Sequence, residues 1–151
     1  MASQPYTTDS VTSHDGTTIG YRQLGRGPGI ILLHGGLQAA QNFMALGAAL
    51  SDSFTVYIPD RRGRGVSGRP GDNHSIQTEC EDVDALLSMA GAHTVFGLSS
   101  GAIIALQAAR TLPAIHNVAA WNPRFSQTNR IQWSGKHGMN ERLLKANLPK
   151  H

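Results

Sequence analysis

The pentapeptide Gly97-Leu98-Ser99-Ser100-Gly101 combines a nucleophilic residue type with a spacing that could activate it. An apolar run before it, residues 93–98, predicts a strand, and an Ala-rich run after it, residues 100–112, predicts a helix. A sharp strand-to-helix turn strains the backbone of the middle residue, and the flanking glycines let neighbouring backbone approach. Ser99 is therefore the candidate nucleophile, at a helix amino end where free N–H groups favour negative charge. The alternative is an ordinary Gly-Ser turn.

A second glycine-rich turn, His34-Gly35-Gly36-Leu37, follows the apolar run 30–33, which predicts a strand buried on both faces. The N–H of Gly36, or as a second choice that of Leu37, is expected to form an oxyanion hole with the N–H of Ser100. His34 precedes the serine, so we expect it to order this loop by hydrogen bonding rather than to act as a base.

The third segment, residues 60–68, is rich in arginine and glycine and follows a predicted strand at 54–59. Its Gly63-x-Gly65-x-x-Gly68 spacing formally matches a dinucleotide fingerprint, which needs a helix opening at the last glycine. The loop-forming residues 69–72 follow instead, so no nucleotide cofactor is expected. Asp60 and the neighbouring arginines are predicted to hold this loop by ion pairs and hydrogen bonds.

The elements that must position these segments alternate along the chain. Further strands are predicted at 10–13, 17–24 and 116–121, and further helices at 42–50 and 76–90. Asp15-Gly16 lies between the first two strands and is a hairpin signal. The pattern predicts an α/β domain with a largely parallel sheet and helices on both faces. It fades after Trp121: residues 122–138 show no period, and 139–148 could form a short helix.

In their order and approximate spacing, the three segments resemble the α/β-hydrolase superfamily over roughly residues 10–122. The resemblance implies an incomplete fold, with about six of eight strands. Ser99 would be the nucleophile, and Gly36 and Ser100 would be the oxyanion-hole positions. Residues 1–122 would be the N-terminal part of the core, and 123–151 a basic tail resembling the start of a cap.

The serine at position 99 separates branches of this superfamily. Epoxide hydrolases and haloalkane dehalogenases resemble the chain elsewhere but use an aspartate there. Serine fits esterases, lipases, C–C bond hydrolases and haloperoxidase-like members that need no cofactor. The resemblance thus implies a serine hydrolase acting on a small acyl or ester substrate.

A triad also needs an acid and a base, which in this superfamily follow the nucleophile. After Ser99 the chain has one acid, Glu141, and three histidines, His116, His137 and His151. His116 precedes the sixth predicted strand, so it should lie at the opposite end of the sheet from Ser99. We therefore expect impaired catalysis. The alternative is a non-catalytic binding protein that self-associates through an exposed edge at the sixth strand.

Composition narrows the remaining classes. One cysteine, Cys80, excludes an internal disulfide and any cysteine-based metal cluster, so no metal is expected. No apolar run is long enough to span a membrane, and the amino terminus lacks a secretory pattern, which favours the cytoplasm. The net charge of +3 comes from the tail: residues 1–120 carry −2 and residues 121–151 carry +5. No known nucleic-acid-binding pattern accompanies these charges, so nucleic acid is not an expected partner.

Overall fold

The strands form one mixed sheet of seven strands in a computed structural model. The structure describes residues 5–69, 71 and 74–122, and the backbone of 132–135. The sheet order is β1-β2-β4-β3-β5-β6-β7. The strands are β1 (Thr7–Thr12), β2 (Thr18–Gly25), β3 (Gly29–Leu33), β4 (Thr55–Pro59), β5 (Thr94–Leu98), β6 (Asn117–Trp121) and β7 (Gln132–Gly135). The helices are α1 (Met44–Leu50), α2 (Ile76–Ala90) and α3 (Ser100–Thr111), and a 3₁₀ turn at Ala40–Phe43 precedes α1.

Strands β4, β3, β5 and β6 run parallel to one another. Strands β1 and β2 form an antiparallel hairpin along one lateral side of the sheet. The parallel arrangement brings the carboxyl ends of β3, β4 and β5 to the same edge. The three glycine-rich segments begin at these three ends, so the fold gathers them in one place.

The core has two layers, one on each face of the sheet. In β3, Ile31 and Leu33 face the layer under α2 and α3, whereas Ile30 and Leu32 face the layer under α1. All four side chains are almost fully buried. The uninterrupted apolar run therefore has the cause inferred from sequence, namely a parallel strand covered on both sides, and the predicted α/β class is confirmed.

Helix α2 begins and ends where its capping residues require. The Ser75 hydroxyl accepts a hydrogen bond from the N–H of Thr78 at 3.3 Å, and Gly91 adopts a left-handed conformation, with φ of 59°. Its inner face packs Val83 and other apolar residues on the sheet. That face also carries two buried acids, Glu79 and Asp82. They accept hydrogen bonds from arginines of the loop after β4.

Strand β7 corrects one expectation. It pairs antiparallel with β6, from Asn117 opposite Gly135 to Ala120 opposite Gln132. The sixth strand is therefore not the exposed edge of the sheet, so the prediction that it is exposed is wrong, whereas self-association stays a prediction. The sheet also continues beyond the predicted boundary at residue 122. A strand of four residues, with Trp133 as its one large apolar residue, is too short to produce a recognisable period.

Two smaller differences concern helices. The predicted helix over residues 42–50 is a 3₁₀ turn followed by the seven-residue α1. The predicted helix at 139–148 lies outside the described residues. Within the described ranges no helix has the length and apolar character needed to cross a bilayer.

Candidate functional site

Ser99 occupies a strained turn between β5 and α3. Its φ of 57° and ψ of −119° make it the one non-glycine residue with positive φ in the part of the chain that is described. Such a conformation persists only where the surroundings hold it. The N–H of Ser99 donates to the carbonyl of Trp121 at 2.8 Å, and the Asn122 amide donates to the carbonyl of Ser99 at 3.2 Å. The end of β6 thus fixes the turn from both sides.

The glycines of this pattern are required by contact as well as by conformation. A Cβ on Gly97 would overlap the carbonyl oxygen of Gly101. A Cβ on Gly101 would overlap the carbonyl oxygen of Leu33 and would lie 2.6 Å from that of His34. The amino end of α3 therefore lies directly against the end of β3, and only glycine permits that approach.

The turn after β3 lies over Ser99. A Cβ built on Gly35 would lie 3.3 Å from Ser99 Cβ, and one on Gly36 would lie 3.4 Å from Ser100 Oγ. The N–H groups of Gly36, Leu37 and Ser100 donate to no acceptor among the described residues. None of the three predicted oxyanion-hole donors is therefore bonded to a described residue, and the choice between Gly36 and Leu37 stays open. The Leu37 side chain is fully exposed.

His34 is fully buried, and both of its ring nitrogens are engaged. Nδ1 donates to the carbonyl of Gly35 at 2.8 Å, and Nε2 accepts the N–H of Arg61 at 2.9 Å. The second bond requires a neutral ring, and burial lowers the pKa of His34 in agreement with this state. These bonds are those that a loop-ordering residue needs, and that role stays a prediction.

Lowering the pH should destabilise the fold through His34. Unfolded, the imidazole binds a proton near its ordinary pKa of about 6.5, whereas the folded chain binds it only at lower pH. Between these two pKa values the unfolded state carries more protons, so the free energy of unfolding falls as the pH drops below about 6.5. For one proton the slope is at most about 1.4 kcal/mol per pH unit.

Urea unfolding of the wild type and His34→Gln from pH 7 to pH 5 measures this slope. The substitution removes the titrating group, so the variant should show the shallower dependence. Equal slopes would contradict the assignment.

Asp60 holds the loop after β4 by hydrogen bonds rather than through an arginine. Its Oδ1 accepts the N–H of Ala40 at 2.8 Å, and its Oδ2 accepts that of Val66 at 3.3 Å. Gly65, with φ of 49°, lies against this carboxylate where a Cβ would collide. No helix begins at Gly68, so the dinucleotide fingerprint lacks the helix it requires.

Arg61 was expected only as one of the arginines that hold the loop after β4, yet it also bonds to Ser100 and His34. Its Nε and Nη2 form a bidentate ion pair with Glu79, at 2.8 and 3.0 Å. Its Nη1 donates to Ser100 Oγ at 2.8 Å and to the carbonyl of His34 at 3.1 Å. Arg64 also donates, through Nε and Nη2, to the carbonyl of Gly36. The sequence offered a signal in two adjacent arginines followed by acids spaced one helical turn apart.

The neighbouring Arg62 joins a buried charge network instead. Its fully buried guanidinium donates to Asp82, at 2.8 and 2.6 Å, and to Asp15, at 2.8 and 3.4 Å. The hydrogen bond from Arg62 holds the pKa of Asp15 well below its usual range, and the hydrogen bonds to Asp82 raise that of Arg62 further. This network joins the β1–β2 turn to α2.

The comparison with known proteins agrees with this geometry. A family model described as the alpha/beta hydrolase fold matches residues 28–151, most of the chain. The chain belongs to this family. Ser99, the turn after β3 and the loop after β4 all lie inside the matched region.

Individual proteins also resemble the chain over part of its length. The Bacillus subtilis (strain 168) protein named uncharacterized hydrolase YraK is 36% identical over 95 residues, which is 60% of this chain and 35% of that protein. The structure of an alpha/beta hydrolase from Sphaerobacter thermophilus DSM 20745 matches with 38% identity and a TM-score of 0.70, over 74% of this chain and 44% of that one. Epoxide hydrolase A from Mycobacterium thermoresistibile matches with 27% identity and a TM-score of 0.71, over 77% and 39%.

The chain therefore spans from about a third to less than half of the length of these proteins. One acid and three histidines follow Ser99 in the chain. Three of these four residues, Glu141, His137 and His151, lie outside the described residues. His116 precedes β6, and its ring stacks on that of His93 with 4.3 Å between centroids. Ser99 follows β5, which is parallel to β6, so His116 lies at the other end of the sheet, as the sequence predicted.

Proposed function

We propose that the chain carries the nucleophile half of a serine hydrolase, in which Ser99 attacks the carbonyl of a small acyl or ester substrate. The observation that carries this proposal is the strained backbone of Ser99, in a turn flanked by Gly97 and Gly101 and covered by the turn that contains Gly35 and Gly36. Strained backbone of this kind gathers at active sites. Family membership supports hydrolysis of a small molecule as the chemistry.

The chemistry follows the acyl-enzyme route. The Ser99 oxygen forms a bond to the substrate carbonyl carbon, and the carbonyl oxygen becomes an oxyanion that backbone N–H groups stabilise. Ser100 N–H provides one donor and Gly36 N–H the other. The bond from the carbonyl carbon to the leaving group then breaks, and the leaving group departs with the proton that the Ser99 hydroxyl gave up. Water next attacks the acyl carbon, one of its protons returns to the Ser99 oxygen, and the free acid is released. A serine at this position favours acyl transfer, in the esterase-like or C–C hydrolase- and haloperoxidase-like branches, over epoxide opening.

His34 is not the base in this proposal. One ring nitrogen is already a donor to Gly35 and the other an acceptor from Arg61, and deep burial removes it from substrate. Its proposed role is to hold the turn that carries Gly36, while Asp60 holds the loop that faces this turn.

Covalent labelling tests the nucleophile. A fluorophosphonate probe should modify the wild type at Ser99, and Ser99→Ala should lose all modification because no other oxygen occupies that position. Mass spectrometry of the labelled peptides identifies the residue. Ser88→Ala, an exposed serine on α2, is the matched control and should label like the wild type. Labelling that survives in Ser99→Ala, or a wild type that does not react, contradicts the proposal.

A further inference from the structure

We infer that Arg61 is a positioning residue that sets the separation of the two oxyanion donors, Gly36 and Ser100. The inference rests on the proposed function for its catalytic meaning, whereas its structural content stands on hydrogen bonds alone. The two donors lie on different elements: Gly36 in the turn after β3, and Ser100 at the first position of α3. The turn and the helix must keep a fixed position relative to each other, because an oxyanion hole works only when both donors point at one oxygen.

A single nitrogen of Arg61 joins the two elements. Nη1 donates to Ser100 Oγ at 2.8 Å and to the carbonyl of His34 at 3.1 Å. These acceptors belong to α3 and to the end of β3, so the guanidinium bridges the segments that carry the donors.

The backbone of Arg61 fixes the same turn by a second route. Its N–H donates to His34 Nε2, and His34 Nδ1 in turn donates to the carbonyl of Gly35. The carbonyl of Gly35 and the N–H of Gly36 belong to one planar peptide. Holding that carbonyl therefore also directs the N–H proposed as a donor.

Glu79 makes this bridge rigid. It accepts two parallel hydrogen bonds from Nε and Nη2, and the side chains of Arg61 and Glu79 are only 14% and 10% exposed. A bidentate pair fixes the plane of the guanidinium, which leaves Nη1 with one direction. Lysine would supply the charge without the planar fork, so it should not replace arginine here.

Amide spectra test the structural content without requiring turnover. The double variant Arg61→Gln/Glu79→Gln removes both charges together, so neither is left buried and unpaired. Two-dimensional ¹⁵N spectra should show the Gly36 and Ser100 amide signals displaced and exchanging faster with solvent. The signals of Gly16 and Gly91, in distant turns, should stay in place. Arg61→Lys should resemble the double variant. Unchanged Gly36 and Ser100 signals in the folded variants would overturn the inference.

Hydrolysis of p-nitrophenyl acetate tests the catalytic meaning. The kcat of Arg61→Lys should fall about 10- to 100-fold, as expected for a misplaced donor, with little change in KM. Arg110→Lys, at the exposed far end of α3, should retain wild-type values. A purely structural role would lower the melting temperature and leave kcat per folded molecule unchanged, which would overturn a positioning role. If the wild type does not acylate Ser99, the proposed function fails, and the amide spectra alone decide the inference.

Discussion

Replacing Gly101 by alanine should lower the free energy of unfolding by about 3 kcal/mol. Helix propensity predicts the opposite, a gain of up to about 1 kcal/mol, because Gly101 lies in the first turn of α3. The contact with β3 decides the outcome. The added Cβ meets the backbone carbonyls of Leu33 and His34, which cannot rotate away as a flexible side chain could. Relief requires α3 to move off the sheet, and the Ser99 turn moves with it.

Urea unfolding measures the loss, and Gly71→Ala is the matched control. A Cβ at Gly71 meets nothing within 4 Å, so this variant should be neutral or gain about 0.4–1 kcal/mol through the unfolded state. A Gly101→Ala variant as stable as the wild type would show that α3 and β3 are not in contact. The proposed approach of the nucleophile turn to the end of β3 would then be wrong.

Asp82→Ala should cost about 3–5 kcal/mol, because it leaves a fully buried guanidinium without its main partner. Asp82 accepts two hydrogen bonds from Arg62 and one from Ser13 Oγ. Among the described residues, Arg62 then keeps only Asp15 as an acidic partner, and the Asp15 side chain is 37% exposed. Both the β1–β2 turn and the loop after β4 should loosen.

The control lies two residues further along the same helix. Asp84 contacts only His14 among the described ion pairs, at 3.1 Å, and is about a third exposed. Its replacement by alanine should cost no more than about 1 kcal/mol. Both substitutions change helix propensity in the same way, so the difference between them isolates the buried network. Similar denaturation midpoints for the two variants would contradict the network's role.

Much of this fold could be predicted because local patterns carry it. The apolar run of β3 and the helical spacing of α2 predicted the bounds of these two elements almost to the residue. The glycines at positions 97 and 101 predicted the strained turn. The predictions failed where long-range contacts decide the structure. Strand β7 forms by pairing with β6, and its own four residues are too few to show a period that predicts a strand. Periodicity cannot reveal an ion pair such as that of Arg61 with Glu79.

The residues of the candidate site could be predicted one by one, whereas the hydrogen bonds and ion pairs that join them could not. Ser99, Gly36 and Ser100 could be chosen because each lies in a recognisable local pattern. The arginine beside them could not, since its role depends on which acids of α2 face the sheet. Asp60 showed the same limit: its importance to the loop was expected, whereas its backbone partner Ala40 follows from the tertiary fold.

The pairing of β3 with β5 has a consequence for the order in which this chain folds. Leu33 and Gly97 are register partners although more than sixty residues separate them in sequence. The hairpin of β1 and β2 can form locally, whereas the contact between β3 and β5 must first close that long loop. The conformation of Ser99 depends on this contact, so it should arise late in folding and disappear early when the sheet opens. The proposed fluorophosphonate labelling of Ser99, followed during refolding, would therefore time the closure of the central strands.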